Sequence, residues 1–128
     1  MSVDILKSRL DNEAARARMR RAGIDLTSPP WVGALRRLGV LKGISVGDRS
    51  KSWDVLKTIE FLERNVPRDE PVLDMGAYAS EVPCILQRMG YKNLSGIDLN
   101  PAVCRMPHAD SIRYFIGDFL ETSFEDAS

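Results

Sequence analysis

Three aspartates stand at matching places in the second half of the chain. Asp74 ends Val72-Leu73-Asp74, Asp98 ends Leu94-Ser95-Gly96-Ile97-Asp98, and Asp118 follows Ile112-Arg113-Tyr114-Phe115-Ile116-Gly117. Each closes a short apolar run of the kind that makes a buried strand. Carboxylates gathered at one end of a sheet repel phosphate and favour amines, cations and hydroxyls. One carboxylate also accepts two hydrogen bonds together, which matches a vicinal diol.

Phosphate-binding patterns are correspondingly absent. A dinucleotide site needs Gly-x-Gly-x-x-Gly, so that backbone and helix start can hold a pyrophosphate. Here Gly76 is followed by Tyr78 and Glu81 where the other glycines belong, and no Gly-Lys-Ser/Thr exists for a P-loop. The acids suit a ligand with an amino group, a sulfonium cation and no phosphate.

The elements that hold these acids follow from local signals. Val72 and Leu73 begin a strand that Gly76 breaks. Ser80 is expected to cap the next helix, with Glu81 in its first turn, where the dipole favours a carboxylate. Ile85, Leu86 and Met89 form its apolar stripe, and Gly90 suits its left-handed end. Leu94 to Asp98 is the second strand. Two strands joined by one helix are expected to be parallel with a right-handed crossover, which puts Asp74 and Asp98 at the same end. In open α/β sheets ligands bind at that end. Pro101 to about Met106 reads as a helical turn ended by Pro107, and Ile112 to Ile116 as a third strand. His108, the only histidine, has no metal-ligand partners at suitable spacing and reads as a loop residue, so no metal is expected.

The first half reads as helical. A helix is expected from Ser2, with Asp4 in its first turn and Val3, Leu6, Leu10, Ala14 and Ala17 along its inner face. Arg16, Arg18, Arg20 and Arg21 fill its last turns before Gly23. They read either as a solvated helix end, the favoured view, or as contacts to phosphate. Thr27-Ser28-Pro29-Pro30 opens a second short helix with Trp31, Leu35 and Leu38 facing inward. A glycine-rich loop, Gly39 to Gly47, follows. A third helix runs from Ser52 to Asn65 with Trp53, Leu56, Ile59 and Leu62 inward, and Val66-Pro67 ends it. Residues 1–66 are thus a helical layer and 67–128 an α/β unit, packed as one body.

Composition sets the outer bounds. The 128 residues are 44% hydrophobic and 28% charged, as in a folded single domain, and 18 acids balance 18 lysines and arginines. No overall field therefore favours nucleic acid or acidic lipid. No run reaches the length of a membrane span and no signal peptide opens the chain. Neither a membrane nor a nucleic acid is expected as a partner. Cys84 and Cys104 lack metal spacing and point to a reduced, cytoplasmic setting.

The run Val-Leu-Asp-Met-Gly-Ala-Tyr-Ala-Ser, with Gly-Ile-Asp-Leu-Asn-Pro and Ile-Gly-Asp-Phe downstream, resembles the N-terminal half of the class I S-adenosylmethionine-dependent methyltransferases over residues 50–128. The resemblance implies a Rossmann-like α/β fold of which this chain holds strands in the order 3-2-1. It implies S-adenosylmethionine as cofactor, with a small-molecule substrate. Asp74 and Gly76, with Ala77, Tyr78 and Ser80 in the same turn, would lie against the methionine portion. Asp98 would take both ribose hydroxyls, and Asp118 the adenine amine, with Leu99 or Phe119 beside the ring. Tyr78 and Ser80 stand where relatives carry glycine. The acidic tail to Ser128 lies where a fourth strand would begin, so the chain alone is expected to be catalytically incomplete and no catalytic residue is assigned. Its first strand, central in the full fold, becomes an open edge, which points to a homodimer or a partner chain along Val72 to Met75.

Overall fold

The computed structural model describes residues 5–121. The chain forms helices α1 (Arg9–Arg21), α2 (Pro30–Arg37) and α3 (Ser52–Asn65), then β1 (Val72–Met75), α4 (Val82–Arg88), β2 (Leu94–Asp98) and β3 (Ile112–Ile116). Short 3-10 turns occupy Arg49–Lys51 and Pro101–Arg105. The three strands make one parallel sheet in the order β1-β2-β3, with Val72 opposite Leu94 and Leu94 opposite Ile112. Among the described residues β1 pairs with β2 alone, so its other edge is open.

Alternation along the strands divides the sheet into two unlike faces. Leu94 and Ile112 point into a core built from Ile85 and Leu86 of α4, Leu56 and Ile59 of α3, and Ala15 and Met19 of α1. On the other face Ile97 is covered, while Leu73, Met75 and Phe115 remain exposed. Helices α1 and α3 and the α/β unit therefore share one core.

The third helix, second strand and third strand occupy their expected spans. At Val66 the backbone turns extended ahead of Pro67, because proline excludes the helical region from the residue before it. His108 sits in a loop with φ of 64°. Among the described residues no helix is long and apolar enough to cross a membrane.

Helix α1 departs from expectation. It starts at Arg9 behind Ser8, because the Asp11 carboxylate accepts the Lys7 and Ser8 N–H groups at 2.8 and 2.9 Å and fixes the first turn there. Leu6 precedes the helix and Leu10 is exposed, so the inner face is Ala15, Arg16 and Met19 rather than the leucine stripe. Asn12, on this same side, accepts the Trp53 N–H at 2.8 Å and donates to the Ser50 carbonyl at 2.8 Å. It thus satisfies a donor that the start of α3 would leave unpaired. Helix α2 begins at Pro30 as expected but buries none of its residues: Trp31 and Leu38 point outward. The expected roles of Ser2, Val3 and Asp4, and of the tail from 122 onward, fall outside the described residues.

Candidate ligand site at the strand ends

Parallel β1, β2 and β3 deliver Asp74, Asp98 and Asp118 toward one rim, but the register sets Asp74 back, opposite Gly96 and two residues short of Asp98. Asp98 is the last residue of β2. Its Oδ2 accepts the Tyr78 N–H at 2.9 Å and its Oδ1 the Asn100 N–H at 2.8 Å. Each carboxylate oxygen has a second lone pair, so both can still accept from a ligand. Asp118 follows Gly117, whose N–H donates to the Asp98 carbonyl at 3.0 Å. Asp118 Oδ1 in turn accepts the Leu120 N–H at 2.9 Å. Asp98 and Asp118 line a cavity of about 340 Å³ together with Gly76, Leu99, Phe119, Met75, Ile97 and Gly117. Apolar walls with two acids on the rim describe a pocket for a flat, partly apolar ligand with hydroxyl or amine groups.

The turn after β1 is seated by small residues. Gly76 and Ala77 donate N–H groups to the Ile97 carbonyl at 2.9 and 3.1 Å. Gly76 has φ of 78°, a region that glycine enters without strain. Ala77 is fully buried, because Gly96 beneath it has no side chain: a Cβ there would stand 2.7 Å from the Ala77 Cβ. That close approach brings the Tyr78 N–H down onto Asp98.

Asp74 and Ala77 do not reach the cavity. Asp74 shares a sheet face with Asp98 but lies further back along the strands, where one of its oxygens is enclosed and has no hydrogen-bond partner. Burial pushes its carboxyl above the usual range, the charge of Asp98 adds to this, and a hydrogen bond with Ser80 opposes it. The neighbouring Cys84 thiol and Tyr114 hydroxyl lie 3.9 Å apart, and both are pushed up, chiefly by burial.

Tyr78 and Ser80 open on a second cleft of about 300 Å³, which shares Gly76 with the first. Its far wall is Gly47, Asp48 and Lys51, at the end of the glycine-rich loop. The Gly47 N–H donates to the Ala79 carbonyl at 2.9 Å, tying this loop to the turn. Sequence reasoning did not bring those three residues to the site. The one usable signal was Gly47-Asp48, a turn pair just before the third helix.

The cap position of α4 falls to Glu81 rather than Ser80, although the Ser80 Oγ still accepts the Val82 N–H at 3.4 Å. The helix starts at Val82, with Glu81 in the cap position and Pro83 in the first turn, where a missing N–H costs nothing. The Glu81 carboxylate serves Arg16 instead, receiving Nη2 at 2.7 Å and Nη1 at 2.9 Å. Arg16 is thereby buried, not solvated, and also holds Asp25 at 3.0 Å. Burial opposes both charges, yet Glu81 and Asp25 keep the guanidinium firmly protonated. Hydrogen bonds from Thr27, with Arg16, likewise hold the Asp25 carboxyl below its usual range. Arg18 pairs with Glu60, and Arg20 with Asp25 at 3.4 Å. Much of the basic helix end is thus committed to acids of this chain. Among the described residues no group of acids, cysteines and histidine is placed to hold a metal. Compared with known families, curated proteins and solved structures, the chain matches none.

Proposed function

We propose that this chain is the cofactor-binding part of an S-adenosylmethionine-dependent methyltransferase with a Rossmann-like core, acting on a small-molecule methyl acceptor. The observation that supports it is the cavity where Asp98 and Asp118 share a rim with Gly76, Leu99 and Phe119. In this reading Asp98 accepts the ribose hydroxyls, Asp118 the adenine amine, and Leu99 and Phe119 flank the ring. Gly76 leaves backbone room for the methionine portion, and Tyr78 and Ser80 border its path. Asp74 acts through the turn, by its contact with Ser80, rather than by touching the ligand. When bound, the cofactor supplies an electrophilic methyl group. The chain's residues hold and orient it, which is the main contribution to an in-line transfer.

Isothermal titration with S-adenosylmethionine and S-adenosylhomocysteine tests this. Binding is expected, with Asp98→Ala weakening it by more than about tenfold through loss of paired hydrogen bonds to the diol. Unchanged affinity in Asp98→Ala rejects the ribose assignment, and no binding by the parent chain rejects the reading.

A second reading is favoured by one contact. The Tyr78 N–H already occupies Asp98, in a turn where Tyr78 and Ser80 replace glycine. A scaffold that keeps the fold without the cofactor would show neither heat of binding nor a thermal shift with either compound. In both readings the open edge of β1 is where we place a second chain, a copy of this one or a different polypeptide.

A further inference from the structure

Helix α2 presents its apolar side to solvent. Trp31 is 63% and Leu38 76% exposed, and Ala34 is exposed between them. The loop beyond continues the patch with Val40, 66% exposed, and Leu41. Toward the body the helix turns Val32, Gly33, Leu35 and Arg36, and the Arg36 Nε and Nη1 are enclosed without a hydrogen-bond partner. No residue of α2 is buried, and the helix has no extensive packing against any other helix or strand.

Charge around this patch is one-sided. From Leu26 to Gly47 the chain carries Arg36, Arg37 and Lys42 and not one acid, although the protein as a whole is balanced. An apolar face with tryptophan, edged by cations, is the composition of a segment that lies in the headgroup region of a bilayer. We propose that α2 and the loop to Lys42 form a peripheral docking surface for an anionic lipid bilayer. Trp31, Leu38 and Val40 enter the headgroup boundary, and Arg37 and Lys42 meet lipid phosphates and carboxylates. A spanning helix is not needed for this mode of attachment. A protein partner is less well matched, because the patch lines neither of the cavities described above and its exposed charges are all positive.

The test uses the whole chain and two kinds of vesicle, phosphatidylcholine alone and phosphatidylcholine mixed with phosphatidylserine. Sedimentation with the mixed vesicles at low salt is expected, with loss at high salt. Trp31→Ala combined with Leu38→Ala should weaken it by more than about tenfold. In Trp53→Phe, Trp31 is the sole tryptophan, and its emission should shift to the blue and be quenched by brominated lipid. Circular dichroism of each variant confirms that it remains folded. Three results each overturn the proposal: no sedimentation at low salt, sedimentation unaffected by the double substitution, or Trp31 emission indifferent to both vesicles. The last is what a face reserved for a second protein would give.

Discussion

Arg16 and Glu81, 65 residues apart, meet in a two-pronged pair with N–O distances of 2.7 and 2.9 Å. The residues are 5% and 2% exposed, and Ser52 accepts the Arg16 Nε–H at 2.9 Å. Through this contact the middle of α1, the start of α3 and the start of α4 are fixed to one another. The turn carrying Tyr78 is held just upstream.

Breaking the pair from one side leaves a buried charge without its partner. Arg16→Met is expected to cost about 3–5 kcal/mol, whereas Arg16→Met with Glu81→Gln should recover a good part of it. Urea unfolding of the single and double variants measures both. A double variant no more stable than the single one would show that the uncompensated Glu81 charge is not what matters.

Two aspartates give the fold opposite responses to pH. The Asp25 carboxyl is held below its ordinary 3.8, so its stabilisation is present above that pH and is lost as pH falls through the lower folded value. Asp25→Asn should therefore destabilise at neutral pH and converge with the parent in strong acid. The Asp74 carboxyl is raised above 3.8, so the folded chain keeps that proton longer and loses stability as pH climbs from 3.8 to the folded value. Asp74→Asn should accordingly be more stable than the parent at neutral pH and no different in strong acid. Thermal melts across pH for the two variants settle each sign.

Gly96→Ala tests how the turn is seated. The new Cβ would stand 2.7 Å from the Ala77 Cβ and 2.9 Å from the Tyr114 ring. Such overpacking should cost about 1–3 kcal/mol. Because the turn must lift, any ligand affinity that depends on Asp98 and Gly76 should fall with it. A variant as stable as the parent would mean that the turn gives way freely.

At the β1 edge, association is expected in solution, since an open edge of a parallel sheet presents unpaired backbone groups. Light scattering should find more than one chain per particle, and Leu73→Lys, a charge on an exposed strand position, should return the monomer. A monomeric parent chain at micromolar concentration would remove the idea of self-pairing.

Strong local signals were readable in the sequence. Proline and glycine bracket α3, β2 and β3, and their spans followed from those residues and from apolar runs. Residues whose role depends on distant partners were harder. Nothing near Arg16 announces that Glu81 will neutralise it, so a charge-rich helix end looked solvated. The start of α1 behind Ser8 rests on the reach of Asp11 to the Lys7 and Ser8 N–H groups, which the apolar spacing does not announce. Of the three strand-end acids, Asp98 and Asp118 share a pocket. Asp74 does not, because the register sets it opposite Gly96, two residues back from Asp98, and no local signal in the sequence fixes that offset.

The separation of Arg16 from Glu81 also bears on synthesis. At roughly 5–20 residues per second, Asp25 follows the guanidinium out of the ribosome within a second or two, but Glu81 only several seconds later. Helix α1 therefore cannot complete its buried contact when it first emerges, and its docking waits until the start of α4 has been made.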